Sequence, residues 1–106
     1  MEKKDKLYIG LYNDYYGALL TEHQRSLVSD YYDRDMSLAE IAAERGISPQ
    51  GVRDALIRAE RQLEEYERKL GIVEKSRKLA AMLRGAAESE GDERTKKLLL
   101  DAADML

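Results

Sequence analysis

The sequence predicts an all-α fold, and three observations support this prediction. Apolar residues recur at spacings of three and four along nearly the whole chain, and strand-like alternation is absent. Proline occurs only once in 106 residues, so little interrupts a helix. Residues typical of helix caps stand at regular intervals between the periodic segments. We therefore expect about six helices.

The first two helices are expected in the N-terminal third. One should run from about Asp5 to about Gly17, because four apolar residues would share one of its faces: Leu7, Leu11, Tyr15 and Leu19. Thr21, followed three residues later by Gln24, fits a capping box at the start of the second helix. We expect that helix to stop around Asp35.

The segment that follows has the residue types of two helices crossing at a steep angle. Ser37 with Glu40 fits a second capping box, and Gly46 suits a left-handed turn. Ala42 is small enough to let the two helices approach. Three aliphatic residues are expected to seal the core between them: Ile41, Ile47 and Val52. The pattern predicts a helix-turn-helix reader over residues 37–61.

The second helix of the reader is expected to be unusually long. Ser48 can cap it, Pro49 suits its first position, and Gly71 follows its last residue, Leu70. Its apolar residues alternate by four and three, as in a coiled coil: Val52, Leu56, Ala59, Leu63, Tyr66 and Leu70. Two interpretations stay open, a stripe covered within the chain and a dimer seam.

Residues 72–106 predict a pair of C-terminal helices within a single domain that spans residues 1–106. The first should cover Ile72 to Ala87 and the second Asp92 to Leu106, with the loop Ser89 to Gly91 between them. The expected apolar faces are Leu79, Ala80 and Leu83 on the first helix, and Leu98, Leu99, Ala102 and Met105 on the second.

Composition excludes several classes of function. The chain has no cysteine, so disulfides and thiolate metal sites are impossible, and no segment is long and apolar enough to span a membrane or resembles a signal peptide. No catalytic triad, phosphate-binding loop or metal cluster is present. We therefore expect a cytoplasmic protein that is not an enzyme, needs no cofactor and does not insert into membranes.

Side chains of the long helix that face away from its apolar stripe are the candidate contacts to DNA. Glutamine can read an adenine edge, arginine can read guanine or hold phosphate, and the amides behind the cap can hold a phosphate. The predicted DNA-binding residues are Ser48, Gln50, Gly51, Arg53, Asp54, Ile57 and Arg58, and Arg61 also faces outward. Asp54 would repel phosphate unless it is paired, for which Arg58 is the expected partner.

The run YYDRDMSLAEIAAERGISPQGVRDALIRAERQLEEYERKLGI, from Tyr31 to Ile72, resembles the YlxM family of helix-turn-helix proteins and, more distantly, region 4 of bacterial sigma factors. The resemblance implies a sigma-region-4-like fold and a regulator that binds double-stranded DNA. It further implies a homodimer and a link to components of the signal recognition particle pathway.

Charge argues against a simple DNA binder. The net charge is -3, and the reader's helices from Ser37 to Leu70 hold six basic and seven acidic residues. The alternative is a protein-interaction module on the same scaffold, with weak or no DNA binding. Three other features have simpler interpretations: the tyrosines as core, His23 as an exposed residue, and the cluster Glu64, Glu65 and Glu67 as a solvated face.

Overall fold

The computed structural model describes the backbone of residues 6–106 and the side chains of residues 8–106. Its six helices are α1 (Lys6–Tyr16), α2 (Glu22–Val28), α3 (Leu38–Arg45), α4 (Pro49–Leu70), α5 (Ile72–Ser89) and α6 (Glu93–Asp104). A 3₁₀ turn, Gly17–Leu19, follows α1, and a π-helical turn, Ser29–Asp33, extends α2. The described residues contain no strand, which confirms the all-α prediction. The expected start at Asp5 and the side chain of Leu7 lie outside the described residues.

Local hydrogen bonds set the boundaries of the early helices where the sequence predicts them. The hydroxyl of Thr21 accepts from the Gln24 N–H at 3.1 Å, and the Gln24 side chain accepts in return from the Thr21 N–H at 3.2 Å. Ser37 and Glu40 form the same reciprocal pair, at 3.1 Å in both directions. Both capping boxes are therefore confirmed. Asp35 has a φ of 56°, in the left-handed region, which ends the helical path after α2.

The residues form two compact units, Met1–Leu70 and Gly71–Leu106. In the first unit, α1, α2 and α3 all pack against α4. Its most deeply buried aliphatic side chains are Leu27, Val28, Ile41, Val52, Leu56 and Leu63. The apolar stripe of α4 is thus covered within its own unit as far as Leu63, because three shorter helices surround it.

The tyrosines of this unit contribute to the core, as the sequence predicts, but to different depths. Tyr16, Tyr31 and Tyr32 are buried, whereas Tyr8 is exposed. The rings of Tyr31 and Tyr32 meet edge to face, with centroids 5.1 Å apart and planes at 88°, an arrangement that the aromatic quadrupole favours.

The second unit is a helical hairpin of α5 and α6. Asp92 caps α6 by accepting from the N–H and the hydroxyl of Thr95, at 3.3 and 2.7 Å. The buried side chains of α5 are small, namely Val73, Ala80 and Ala87. The expected faces are partly wrong, because Leu79, Leu98 and Met105 are exposed. The small residues allow the two helices to approach closely, and this rotates the larger aliphatic side chains out of the contact.

Candidate nucleic-acid interface

The turn between α3 and α4 is built on a left-handed glycine. Gly46 has φ 67° and ψ 31°, and its N–H donates to the carbonyl of Ala42. The N–H of Ile47 donates to the same carbonyl at 3.2 Å, which completes a Schellman-type ending of α3. The Ser48 hydroxyl then accepts from the Gly51 N–H at 3.0 Å, and Pro49 occupies the first position of α4. These contacts form a helix-turn-helix.

The core between α3 and α4 is smaller than the sequence predicts. Ile41, Ala42 and Val52 are buried, but Ile47 is 39% exposed. The expectation that Ile47 seals this core is wrong, because the residue lies in the turn and on neither inward helix face.

An ion pair ties the end of α3 to the preceding turn. Arg45 Nη2 lies 2.7 Å from Asp30 Oδ2, and Asp30 is buried. Arg34 Nη1 contacts the other carboxylate oxygen of Asp30 at 3.1 Å. The backbone of Asp30 also accepts from the Met36 N–H at 3.0 Å. Sequence reasoning missed this contact, since 15 residues separate Asp30 from Arg45 and no local pattern joins them.

The seven predicted DNA-binding residues lie together at the start of α4 and along its outward side. Ser48, Gln50, Asp54 and Arg58 are exposed, and Gly51, Arg53 and Ile57 are half-buried. The Asp54 carboxylate accepts from Gln50 Nε2 at 2.9 Å. The expected pairing of Asp54 with Arg58 is therefore wrong. Its hydrogen-bond donor is instead Gln50, which lies one turn before it.

Three arginines on α4 are available to a ligand. Among the residues that the structure describes, no carboxylate lies within ion-pair distance of Arg53, Arg58 or Arg61. By contrast, Arg45 is held by Asp30, and Arg68 forms an ion pair with Glu65. The free guanidinium groups thus lie along the part of α4 that follows the turn.

Several acidic residues of α4 are already engaged by the protein. Glu60 is 1% exposed and accepts a hydrogen bond from the hydroxyl of buried Tyr32. Glu67, half-buried, accepts from the Tyr16 hydroxyl at 2.5 Å, so the expectation that it belongs to a solvated face is wrong. The hydrogen bond from Arg68 holds the pKa of the Glu65 carboxyl below its ordinary value.

The inward position of Glu60 is a second feature that sequence reasoning missed. A signal was available, because Glu60 follows Leu56 by four residues and precedes Leu63 by three. That spacing places the Glu60 side chain at the border of the apolar stripe. It can therefore be buried when a hydroxyl group in the core donates a hydrogen bond to it.

Other site chemistries find little support in the part of the chain that is described. Residues 6–106 contain no group of three or more histidine, cysteine, aspartate or glutamate residues that could hold a metal ion. His23 is exposed, and its Nδ1 lies 3.5 Å from Arg45 Nη1. Over the same residues, no helix is long and apolar enough to cross a membrane.

Comparison with known proteins identifies the family. Residues 1–102 match the model of UPF0122, described as "Putative helix-turn-helix protein, YlxM / p13 like". A UPF0122 protein of Desulforamulus reducens is 52% identical over 67 residues, which cover 63% of this chain and 57% of that protein. One from Caldanaerobacter subterraneus is 52% identical over 75 residues, or 71% of this chain and 64% of its own length.

A third relative is matched over more of its length. The UPF0122 protein of Shouchella clausii is 45% identical over 96 residues, and these cover 88% of each chain. This chain spans less than two thirds of the length of the first two relatives, whereas it spans 88% of the third. The resemblance to YlxM is confirmed, and the chain belongs to the UPF0122 family of YlxM/p13-like helix-turn-helix proteins.

Proposed function

We propose that this chain is a non-enzymatic regulator that binds double-stranded DNA, with the first three turns of α4 in the major groove and α3 bracing the phosphate backbone. The observation that supports this most strongly is the set of three arginines without an acidic partner, Arg53, Arg58 and Arg61, on the helix that follows the turn. Helix-turn-helix proteins present the second helix to the bases in this way.

The acidic balance of the segment is a weaker objection than the residue count suggests. Glu60 lies inside the protein against Tyr32, and Glu65 is matched by Arg68 and by Lys69 at 3.5 Å. Near the turn, a DNA phosphate would therefore meet the arginines without an ion-pair partner, together with the exposed carboxylates of Glu44 and Asp54. Phosphate contacts supply most non-specific affinity, so local charge matters more than the net value.

The contact between Gln50 and Asp54 suits base recognition. Asp54 uses one N–H of the Gln50 amide, at 2.9 Å, and leaves its other N–H and its carbonyl oxygen for an adenine edge. The pairing also orients the amide. Ser48 and Gly51 contribute less than expected to phosphate binding, because the Gly51 N–H already donates to Ser48 Oγ.

One reader alone should bind weakly. Three or four phosphate contacts correspond to a dissociation constant of about 10⁻⁴ M for non-specific DNA at physiological salt. Two readers on one duplex would raise the affinity through their effective concentration. We therefore propose that the protein acts as a pair.

Fluorescence anisotropy on labelled duplexes at about 50 and about 200 mM salt tests the proposal. The duplexes are random sequences and upstream regions of the signal recognition particle genes, since the link to that pathway is also a prediction. We expect the salt slope of the double variant Arg53→Ala, Arg58→Ala to be smaller by about one to two than that of the unmodified chain.

A matched control makes the same change of charge in the hairpin, with Arg84→Ala and Arg94→Ala. Those arginines belong to α5 and α6 and to no part of the helix-turn-helix, so the slope should change little. Absence of binding at the lower salt concentration contradicts the DNA proposal and favours the protein-interaction module. Equal losses in both double variants would show attraction by overall charge, without a role for α4.

A further inference from the structure

A groove of about 460 Å³ lies in the N-terminal unit, where α1, α2 and the π-helical turn meet. Its volume is within the range of about 300–1,000 Å³ that is typical of ligand sites. Among the described residues that line it, four are acidic, two are basic and none belongs to α4. The groove is therefore distinct from the helix that we propose to bind DNA.

Two glycines make room for oxygen atoms along this face of α1. A Cβ at Gly10 would lie 2.9 Å from Asp33 Oδ1, and a Cβ at Gly17, just after α1, would lie 2.8 Å from Asn13 Oδ1. Both distances are shorter than a Cβ normally allows, so any other residue at these positions would displace an oxygen. Asn13 and Asp14 lie between the glycines, within one helical turn of each. The glycines therefore favour a row of hydrogen-bond acceptors.

Asn13 supplies a buried acceptor that the protein leaves unused. The residue lines the groove and is 5% exposed. Its Nδ2 donates to the carbonyl of Arg25 at 3.2 Å, whereas its Oδ1 has no hydrogen-bond partner among the described residues. A buried acceptor without a donor is unfavourable, and a ligand that supplies an N–H removes this cost. The Arg25 side chain beside Gly17 is exposed, so it can move aside and admit such a ligand.

Two carboxylates complete the set of acceptors. Asp14 and Asp33 line the groove, are exposed, and have no ion-pair partner in the part of the chain that the structure describes. Asp30, the buried acid of the groove, is by contrast held by Arg34 and Arg45. An ionised carboxylate accepts hydrogen bonds and cannot donate them. The ligand that suits these side chains is therefore a cation with several N–H donors.

A guanidinium group matches the acceptors better than an ammonium group. Arginine presents five N–H donors in one plane, so it can reach two carboxylates and a carbonyl oxygen together, whereas lysine presents three donors on a point charge. The other lining charges, Glu22 and Arg25, offset each other in number, which leaves the charge of Asp14 and Asp33 unbalanced. The same charge repels a phosphate backbone. The groove thus selects a basic partner and excludes a nucleic acid.

We propose that the groove formed by Asn13, Asp14 and Asp33 receives an arginine side chain from a basic segment of a partner protein. The two carboxylates pair with the guanidinium, and Asn13 Oδ1 accepts a hydrogen bond from one of its N–H groups. A further basic residue of the same segment would meet the exposed carboxylate of Glu22. The contact uses no residue of the helix-turn-helix, so it goes beyond the proposed function and does not depend on DNA binding.

The test titrates the full chain, without DNA, into a short labelled peptide of alternating arginine and glycine at about 50 mM salt, where screening is modest. A second peptide carries citrulline in place of arginine, which keeps the planar group and removes its charge. Fluorescence anisotropy should show binding of the arginine peptide at least about tenfold tighter than that of the citrulline peptide. Free arginine, used as a competitor, should bind at least about tenfold more weakly than the arginine peptide, because it lacks the neighbouring contacts.

A pair of matched double variants locates the binding. Asp14→Asn with Asp33→Asn removes the two carboxylates of the groove and should weaken binding of the arginine peptide by about tenfold. Glu88→Gln with Glu93→Gln makes the same change of charge on exposed residues of the hairpin, and it should alter binding by less than about twofold.

Three results overturn the proposal: no preference for the arginine peptide, equal effects of the two double variants, or equally tight binding of free arginine. A second measurement uses the unmodified chain. The NMR resonances of the Asn13 side-chain amide should shift during the titration, because its carbonyl oxygen gains a hydrogen bond. Shifts confined to α4 or to the hairpin would place the peptide elsewhere and also overturn the proposal. Since no DNA is present, a failure of DNA binding leaves these outcomes unchanged.

Discussion

Replacement of Arg45 by methionine should destabilise the N-terminal unit by about 2 kcal/mol. Methionine keeps most of the aliphatic stem, so the change isolates the guanidinium. That group contacts Asp30 at 2.7 Å, and the Asp30 side chain is 7% exposed. Removing one partner of a buried ion pair costs about 3–5 kcal/mol, because the other charge is left without compensation.

Two features of the structure reduce this cost. Arg34 still reaches Asp30 at 3.1 Å, so the carboxylate keeps one cation. The Nε of Arg45 is buried without a hydrogen-bond partner, and its removal recovers part of an unfavourable desolvation. The balance of these effects gives the value of about 2 kcal/mol.

Urea unfolding followed by circular dichroism measures the change. With a slope of about 1–3 kcal/mol per molar urea, the midpoint should fall by roughly 0.7 to 2 M while the slope stays constant. Arg34→Met is the matched control. The Arg34 side chain is 61% exposed, its ion pair spans one helical turn, and Arg45 still compensates Asp30 when Arg34 is replaced, so the loss should cost less than about 0.5 kcal/mol. Equal losses for Arg34 and Arg45 would refute the buried bridge between α3 and the turn before it.

Three further outcomes are expected. Gly46→Ala should lower the free energy of unfolding by about 1 kcal/mol in thermal unfolding, because Gly46 has a φ of 67°. Gly85→Ala, inside α5, should instead raise it by about 0.5–1 kcal/mol. An effect of the same sign for both substitutions would contradict the left-handed turn. Leu63→Ala should cost about 3 kcal/mol by urea titration, and a smaller cost than about 1 kcal/mol would show that this end of α4 is not packed. The hydroxyl of Thr95 lowers the pKa of Asp92, so the stabilisation of α6 is complete above the ordinary aspartate pKa of about 3.9 and disappears as pH falls through the lowered value. The NMR chemical shift of the Thr95 amide should titrate with the lowered pKa of Asp92, and this titration should be absent in Asp92→Asn. A titration midpoint above the ordinary aspartate pKa would contradict the cap.

The helices and their ends were predictable because their causes are local. The reciprocal bonds of Ser37 with Glu40 involve residues three positions apart, and the left-handed Gly46 needs only the absence of a Cβ. The outward placement of the predicted DNA-binding residues also follows from helical rotation, once Val52 and Leu56 are known to face inward.

The pairing of polar groups was not predictable to the same degree. Asp54 has two candidate partners, one turn before and one turn after it, and the sequence cannot rank Gln50 against Arg58. Glu60 has an ionisable side chain, and such residues are ordinarily assigned to solvent. Its burial depends on the hydrogen bond that the hydroxyl of Tyr32, 28 residues away in the chain, donates to it.

The sequence by itself determined an all-α chain with a helix-turn-helix at Gly46 and a long fourth helix, since periodicity, caps and one left-handed turn operate within a few residues. Only the tertiary structure decided what each apolar stripe contacts. The stripe of α4 looks like a dimer seam, yet α1, α2 and α3 cover it as far as Leu63. The small residues of α5 take the contact with α6 and leave Leu79 and Leu98 exposed. A periodic pattern shows that a face must be buried, but its partner depends on side-chain volumes and contacts between residues far apart in the chain.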